Sequence, residues 1–367
     1  MLLLFISICV TMCKEDHVAP RIAEHMTEIV VMKTYRVGII GCGVICPNHI
    51  RGILENDNTE LIAVCDCIEE RAIKRAKEGN CAYYTDYREM LQKEALDAVH
   101  LCLPHAMHAP VAIDCLKAGV DVLSEKPMDV SYQTAKAMLD TAKACGKRLG
   151  VIFQNRYNAE NRAIKAALDS GEMGKLISLH GEVCWCRNEA YYKSGEWRSR
   201  YETAGGGVII NQAIHTLDLL RYFADSPVVD VKATVSHHGE TTAEVEDTAE
   251  GVITFENGTR ALFYFSINNL EDEDIRVTIK CQNARVESRA GDCCIFYRDG
   301  RSVRAADEER TKDCGAKACY GSSHAIQIAD FYSDTDGSRA RWMMDEALAT
   351  QKLVDAILRA GGIYPQK

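Results

Sequence analysis

Asn211 and His215 stand four residues apart behind three glycines, Gly205 to Gly207, in a stretch that is otherwise mainly apolar. On a helix, that spacing turns an amide and an imidazole toward the same side, one turn from each other. An imidazole held beside a hydrogen-bonding neighbour, at the mouth of a glycine turn, suits proton transfer at neutral pH. Lys126 lies between Glu125 and Pro127 at the end of an apolar run. An ammonium there can donate to a reacting oxygen and stabilise developing alkoxide charge. Gly41-Cys42-Gly43-Val44-Ile45-Cys46 sits between a strand-like run and a helical one. Its glycines let the backbone turn sharply and approach a pyrophosphate, whose charge the helix N-terminus meets. Cys46 takes the position that is normally Gly or Ala and is only slightly larger. Asp66 ends the next strand, where a carboxylate accepts from an adenosine ribose and repels a 2′-phosphate. Cys67, and no arginine, follows it. The pattern predicts NAD in preference to NADP.

These residues need elements to hold them. Tyr35–Ile40, Leu61–Cys65, Ala98–Leu103, Val120–Ser124 and Arg148–Phe153 read as strands. Helices are expected over Glu69–Glu78, Ala109–Ala118 and Ser131–Cys145. The alternation predicts βαβ units and a doubly wound parallel sheet, a Rossmann-type α/β domain over residues 33–153. Ligands bind outside the carboxyl ends of such strands, where Gly41, Asp66 and Lys126 all stand. After Phe153 the rhythm changes. A helix over Ala159–Ser170 and the His215 helix precede strand-like alternation over Val228–His237, Glu250–Phe255, Thr259–Ile267, Ile275–Cys281 and Cys294–Arg298. Asn257-Gly258 is a hairpin turn between two of them. Residues 154–340 are therefore expected to form an α+β domain with a large, mostly antiparallel open sheet. A last helix, Arg341–Ala360, closed by Gly361-Gly362, is expected to pack back on the core within residues 341–367. A substrate cleft is expected between the two domains.

Composition narrows the classes of partner. A chain of 367 residues exceeds one ordinary core. Its 53 acidic and 43 basic residues give a net charge of −10, with no dense basic run. That argues against a nucleic-acid surface and against adhesion to anionic membranes. The 17 cysteines are scattered through apparent core segments such as Cys65, Cys102, Cys115 and Cys145. Cys184-Trp185-Cys186 and Cys293-Cys294 lack the paired spacing of a zinc site, so free thiols in a reducing cytoplasm and no metal centre are expected. Met1 to Val10 is apolar but too short to span a bilayer, and no Lys or Arg precedes it. Residues 1–32 are read as an extension outside the core.

Gly41-Cys-Gly43, Asp66, Cys102-Leu-Pro104-His-Ala-Met-His108, Glu125-Lys-Pro127, and Gly205-Gly-Gly207 leading to His215 and Asp218 together resemble the Gfo/Idh/MocA oxidoreductases. The resemblance runs over about residues 33 to 365 in the right order. It implies an NAD(P)-dependent enzyme acting on a carbinol or keto carbon of a sugar, sugar derivative or cyclitol, and a homodimer or homotetramer formed through the open sheet. By position, Lys126 and His215 match the family's catalytic pair, and Lys126–Pro127 its cis peptide. Gly41, Gly43, Val44, Ile45 and Asp66 match the dinucleotide loop. Leu103, Pro104, His105, His108, Glu125 and Lys126 match positions around the nicotinamide and its ribose. Arg156, Trp197, Asn211 and His215 match the substrate cleft. Asn211 departs from the aspartate of inositol dehydrogenase-like members; an amide can orient His215 or a sugar hydroxyl but cannot raise imidazole basicity through charge. Two other outcomes suit this scaffold: a glycosidase working by transient oxidation and elimination with NAD retained, and a non-catalytic dinucleotide-binding sensor. Retention of Lys126 and His215 speaks against the sensor.

Overall fold

The computed structural model describes residues 33–289, 291–306, 323–334 and 338–364, so the reading of residues 1–32 lies outside the described residues. The first half alternates as expected: β1 (Tyr35–Ile40), α1 (Cys46–Leu54), β2 (Thr59–Cys65), α2 (Glu69–Gly79), β3 (Ala82–Tyr84), α3 (Tyr87–Lys93), β4 (Ala98–Leu101), α4 (His108–Lys117), β5 (Asp121–Ser124), α5 (Tyr132–Cys145) and β6 (Leu149–Val151). Local signals set the helix ends. Pro47 occupies the first turn of α1, where a missing N–H costs nothing. Ser131 caps α5 by accepting from Thr134 N, and Gly146 closes it in the left-handed region. All six strands run parallel in the order β3-β2-β1-β4-β5-β6. The order reverses beside β1 and β4, which opens a crevice at their carboxyl ends.

The second half comprises α6 (Ala159–Asp169), β7 (Leu176–Cys184), α7 (Glu189–Lys193), α8 (Tyr201–Ala204), α9 (Ile214–Ala224), β8 (Val228–Ser236), β9 (Thr248–Phe255), β10 (Arg260–Ser266), β11 (Arg276–Cys281), β12 (Ala284–Arg289), β13 (Asp292–Tyr297), β14 (Ser302–Ala306), α10 (His324–Ser333) and α11 (Ser338–Ala360). The strands form an eight-stranded sheet ordered β14-β13-β12-β11-β7-β10-β9-β8, antiparallel except where β10 runs parallel to β7. Three strands, β7, β12 and β14, were not expected. In β7 the inward position Gly181 breaks the apolar alternation, and the fold explains why it is glycine. A Cβ there would lie 2.8 Å from Thr216 and 3.0 Å from Leu220, so only glycine lets α9 lie this close to the sheet.

One expected assignment is corrected. Residues 154–340 were placed with the second sheet, but α10 packs on α1 of the first sheet. A Cβ on Gly52 would meet Ile328 at 2.5 Å, and the Gln327 side chain accepts from Phe153 N and donates to Val151 O. Its buried apolar face matches the first sheet's flank, which sequence order alone does not reveal. Helix α11 packs against β6 and α5 on one side and against β8 and α9 on the other, as a returning terminal helix should. Among the described residues, no helix is long and apolar enough to cross a membrane.

Candidate active site

The carboxyl edge of the first sheet gathers the expected dinucleotide residues. Gly41 has φ near +100°, and a Cβ there would lie 2.2 Å from Cys102 O. Around Gly43 a Cβ would meet nothing within 4 Å, and Val44 is exposed. Cys46 is fully buried, so the larger residue is accommodated in the helix–sheet packing. Asp66 accepts from Cys42 N at 2.8 Å and from Ile68 N at 2.9 Å, pinning the loop while it remains partly exposed. Leu103 and Pro104 are partly exposed at the end of β4. His105 is buried, its Nδ1 2.7 Å from Ala204 O and its ring edge-on to Trp197 at 4.7 Å. His108 differs from the expectation. It is wholly buried, with Nδ1 2.7 Å from Pro127 O and Nε2 2.9 Å from Leu103 O, so it braces two strand ends.

Lys126 follows β5 and precedes a cis bond to Pro127. Its Nζ donates to Asn211 O at 2.9 Å, which ties the first sheet's edge to the segment leading into His215. Burial pushes the ammonium below its usual range; the Arg198 charge adds to that, and Glu125 opposes it. His215 is buried against Phe153, ring centroids 5.9 Å apart. Burial first, and the Lys126 charge second, hold His215 well below the ordinary imidazole range, so it is neutral at pH 7. The single helix expected across Asn211 and His215 is corrected. Val208–Gln212 forms a π-helical turn, Ala213 breaks it, and α9 begins at Ile214. The wider turn sends the Asn211 amide to Tyr191, whose hydroxyl accepts from Asn211 Nδ2 and Gln212 Nε2, each at 3.0 Å.

Glu246 holds that turn from below, and sequence reasoning missed it. A Cβ on Gly207 would lie 1.9 Å from Glu246 O, and the Glu246 carboxyl accepts from Ile209 N at 3.1 Å. Burial pushes this carboxyl up to about 7. The folded state thus binds the proton more tightly than the unfolded one, and stability contributed by Glu246 falls as pH rises from about 4.5 through about 7. Glu246→Gln keeps an acceptor for Ile209 and removes the charge. Its urea midpoint relative to the parent is expected to climb between pH 5 and pH 8, whereas Glu246→Ala lowers the midpoint at both. A pH-independent difference between the glutamine variant and the parent would contradict the assignment.

Behind Lys126 lies a buried chain that the sequence reading did not assemble. Glu125 Oε1 is 3.0 Å from His49 Nε2 and 3.2 Å from His324 Nε2. His49 Nδ1 is 2.9 Å from His100 Nδ1, and His100 Nε2 is 2.8 Å from the Tyr332 hydroxyl. Burial alone would raise the Glu125 carboxyl, but the His324 and His49 imidazoles hold it well below the usual carboxylate range. With Glu125 ionised, His49 donates through Nε2 and accepts at Nδ1 from His100, which in turn accepts from Tyr332. His49, Glu125 and His324 also have the donor types of a cation site, their ligand atoms lying within 4.8 Å of one another. The one sequence signal was His100 inside an otherwise apolar strand.

Arg156 is also corrected. It is buried, donates from Nε and Nη2 to Asp218 at 2.6 Å each and from Nη1 to Glu346 at 3.0 Å, and lies over Tyr222. Its charge is already answered, so it braces α9 and α11 and does not reach toward a polyol. Trp197 lies edge-on against His105, ring centroids 4.7 Å apart. With it comes Arg198, whose charge acts on Lys126 and His105.

Residues 35–153 match the family model described as the oxidoreductase family, NAD-binding Rossmann fold, and residues 161–287 match the GFO/IDH/MocA C-terminal domain. The chain belongs to the Gfo/Idh/MocA oxidoreductase family. Among relatives of this Gfo/Idh/MocA protein, a D-glucoside 3-dehydrogenase of Escherichia coli (strain K12) is 29% identical over 240 residues, 61% of this chain and 67% of its own. An α-N-acetylgalactosaminidase of Shewanella oneidensis is 29% identical over 192 residues, covering 48% of this chain and 41% of its own. The WlbA dehydrogenase from Bordetella pertussis, solved with NADH and UDP-GlcNAcA, superposes with a TM-score of 0.75 at 26% identity, over 91% of this chain and 98% of that one. NAD is the cofactor of this Gfo/Idh/MocA oxidoreductase, and its loop fits one. The steric demand at Gly41 and the open space at Gly43 are those of a backbone cradle for a pyrophosphate.

Proposed function

We propose that the protein transfers a hydride between NAD and a carbinol or keto carbon of a sugar, sugar derivative or cyclitol. The observation that carries this is the 2.9 Å bond from Lys126 Nζ to Asn211 O, which sets a cation from the first sheet beside a neutral imidazole from the second. When bound, the nicotinamide supplies the redox chemistry. Lys126 donates to the reacting oxygen and stabilises its negative charge. Neutral His215 takes the hydroxyl proton in oxidation and returns it in reduction. Trp197 and the π-turn with Asn211 wall the sugar site; Gly41, Gly43, Val44, Ile45, Asp66, Leu103, Pro104, His105 and Glu125 form or support the dinucleotide site. Asp66, followed by Cys67, favours NAD over NADP.

The test is NADH absorbance with purified protein and NAD across sugars, inositols and nucleotide sugars. Turnover of at least one class is expected, and none across the panel, in either direction, sinks the reading. The glycosidase relative favours a second reading, elimination after transient oxidation. Sugar released from an aryl glycoside with no net NADH selects it.

Assembly through the outer face of the eight-stranded sheet belongs to the same reading. Leu262 and Tyr264 are 46% and 40% exposed there, and Leu262 is paired with Val252 on β9. A second copy covering this apolar strip suits a dimer or tetramer. Light scattering is expected to give a multiple of the 40.8 kDa chain mass, reduced to one chain by Leu262→Glu. A monomeric parent refutes it. Thirteen described cysteines are free thiols, which suits a reducing, cytoplasmic setting.

A further inference from the structure

The partly buried arginines of this protein are mostly paired. Arg148 bonds Asp121, Arg156 bonds Asp218, Arg187 bonds Asp272 and Arg221 bonds Glu346. Arg198, like Arg51, is different. Among the described residues its guanidinium makes no ion pair and no hydrogen bond. It is held by rings alone, 4.8 Å from the Trp197 centroid and 5.3 Å from that of Tyr191. Tyr191 accepts from Asn211, Asn211 O receives Lys126, and Trp197 lies against His105. These ties seat Arg198 on the wall beside Lys126. The carboxylate next to Lys126, Glu125, is already engaged by His49, His324 and the Lys126 N–H. The cleft therefore carries two cations, while burial keeps His105 and His215 neutral.

A neutral polyol would leave those like charges facing each other in a partly desolvated cleft. A planar guanidinium presents a fork of N–H donors matched to a carboxylate or phosphate. The dinucleotide pyrophosphate is not the expected occupant. It belongs to the loop after β1, and β4 intervenes between β1 and the strand that ends at Lys126, a separation of about 10 Å at ordinary strand spacing.

We infer that Arg198 anchors an anionic group of the sugar, a carboxylate or a phosphate, so that the substrate is an acidic sugar. The inference rests on the oxidoreductase reading above. An anion placed there also offsets the field that Lys126 imposes on His215, returning basicity to the proton acceptor at the moment substrate binds.

The experiment uses the full chain saturated with NAD and matched sets of D-glucose, D-glucuronate and D-glucose 6-phosphate, with the corresponding galactose and N-acetylglucosamine compounds. Turnover is expected on an anionic member and not on its neutral parent; the uronate and phosphate arms say which anion it is. Arg198→Gln is expected to raise the KM for that anion about 10- to 100-fold, with a smaller change in kcat. Arg198→Lys recovers part of the loss. Equal kcat/KM for neutral and anionic sugars overturns the inference, and so does an Arg198→Gln effect confined to the KM for NAD. If nothing turns over, the oxidoreductase reading fails separately. Calorimetry of the same anions against NADH-loaded protein then decides: binding that is lost in a folded Arg198→Gln protein supports the anchor, and no binding of any anion refutes it.

Discussion

Lys126→Met is expected to lower kcat about a thousandfold on the sugar substrate while NAD still binds. Methionine fills much of the lysine stem's volume and removes only the ammonium. The contact to Asn211 O is lost, but the π-turn stays anchored by Glu246, so the fold should survive. The loss should appear in kcat more than in KM, because alkoxide charge exists only as the reaction proceeds. A second readout separates this from simple misplacement. Lys126 is one of the charges holding His215 low, so its removal should move the acid limb of the pH–rate profile upward. A kcat within tenfold of the parent's, or an unmoved acid limb, would reject the role. Fluorescence titration of NADH checks that the dinucleotide site is intact.

The first sheet was more legible in the sequence than the second, for a physical reason. Strands buried on both faces read as continuous apolar runs, and β1, β4 and β5 are such strands. The short β3 lies at the sheet edge with Ala82 and Tyr83 exposed, so it carried no such run. In the second sheet one face is open, and Gly181 and the charged outward residues blur the alternation. The glycine loop, Asp66 and Lys126 were legible because each sits at a strand end, where topology alone fixes its place. The π-turn was not. It depends on Glu246, some 35 residues further on, approaching Gly207 closely enough to exclude any side chain. Arg156 shows the converse. Position relative to a family pattern put it at the substrate, and only the fold shows Asp218 and Glu346 converging on it. The resemblance matched Trp197-Arg198 to a segment bordering the substrate cleft; what it did not show is that, among the described residues, no carboxylate pairs with Arg198.

His215→Ala should reduce turnover about a hundredfold or more, with the largest loss at neutral pH. In the parent, the imidazole is depressed by burial and by Lys126, so its acid limb in the oxidation direction must lie below 6.5, the ordinary histidine value. The sign follows from the role. A base acts only when deprotonated, so activity persists as pH falls through 6.5 and fails only on approaching the lowered value. His215→Ala abolishes that limb as well as the rate, leaving a shallow dependence on hydroxide and on Lys126. His215→Gln restores a hydrogen bond without a proton acceptor and should recover binding but not kcat, which separates proton transfer from packing against Phe153. With an acidic sugar in place, the limb for kcat should lie above the limb for kcat/KM, since the bound anion pulls the imidazole back up. Coincident limbs on an anionic substrate would place the anion away from His215; full activity in the alanine variant would end the base assignment itself.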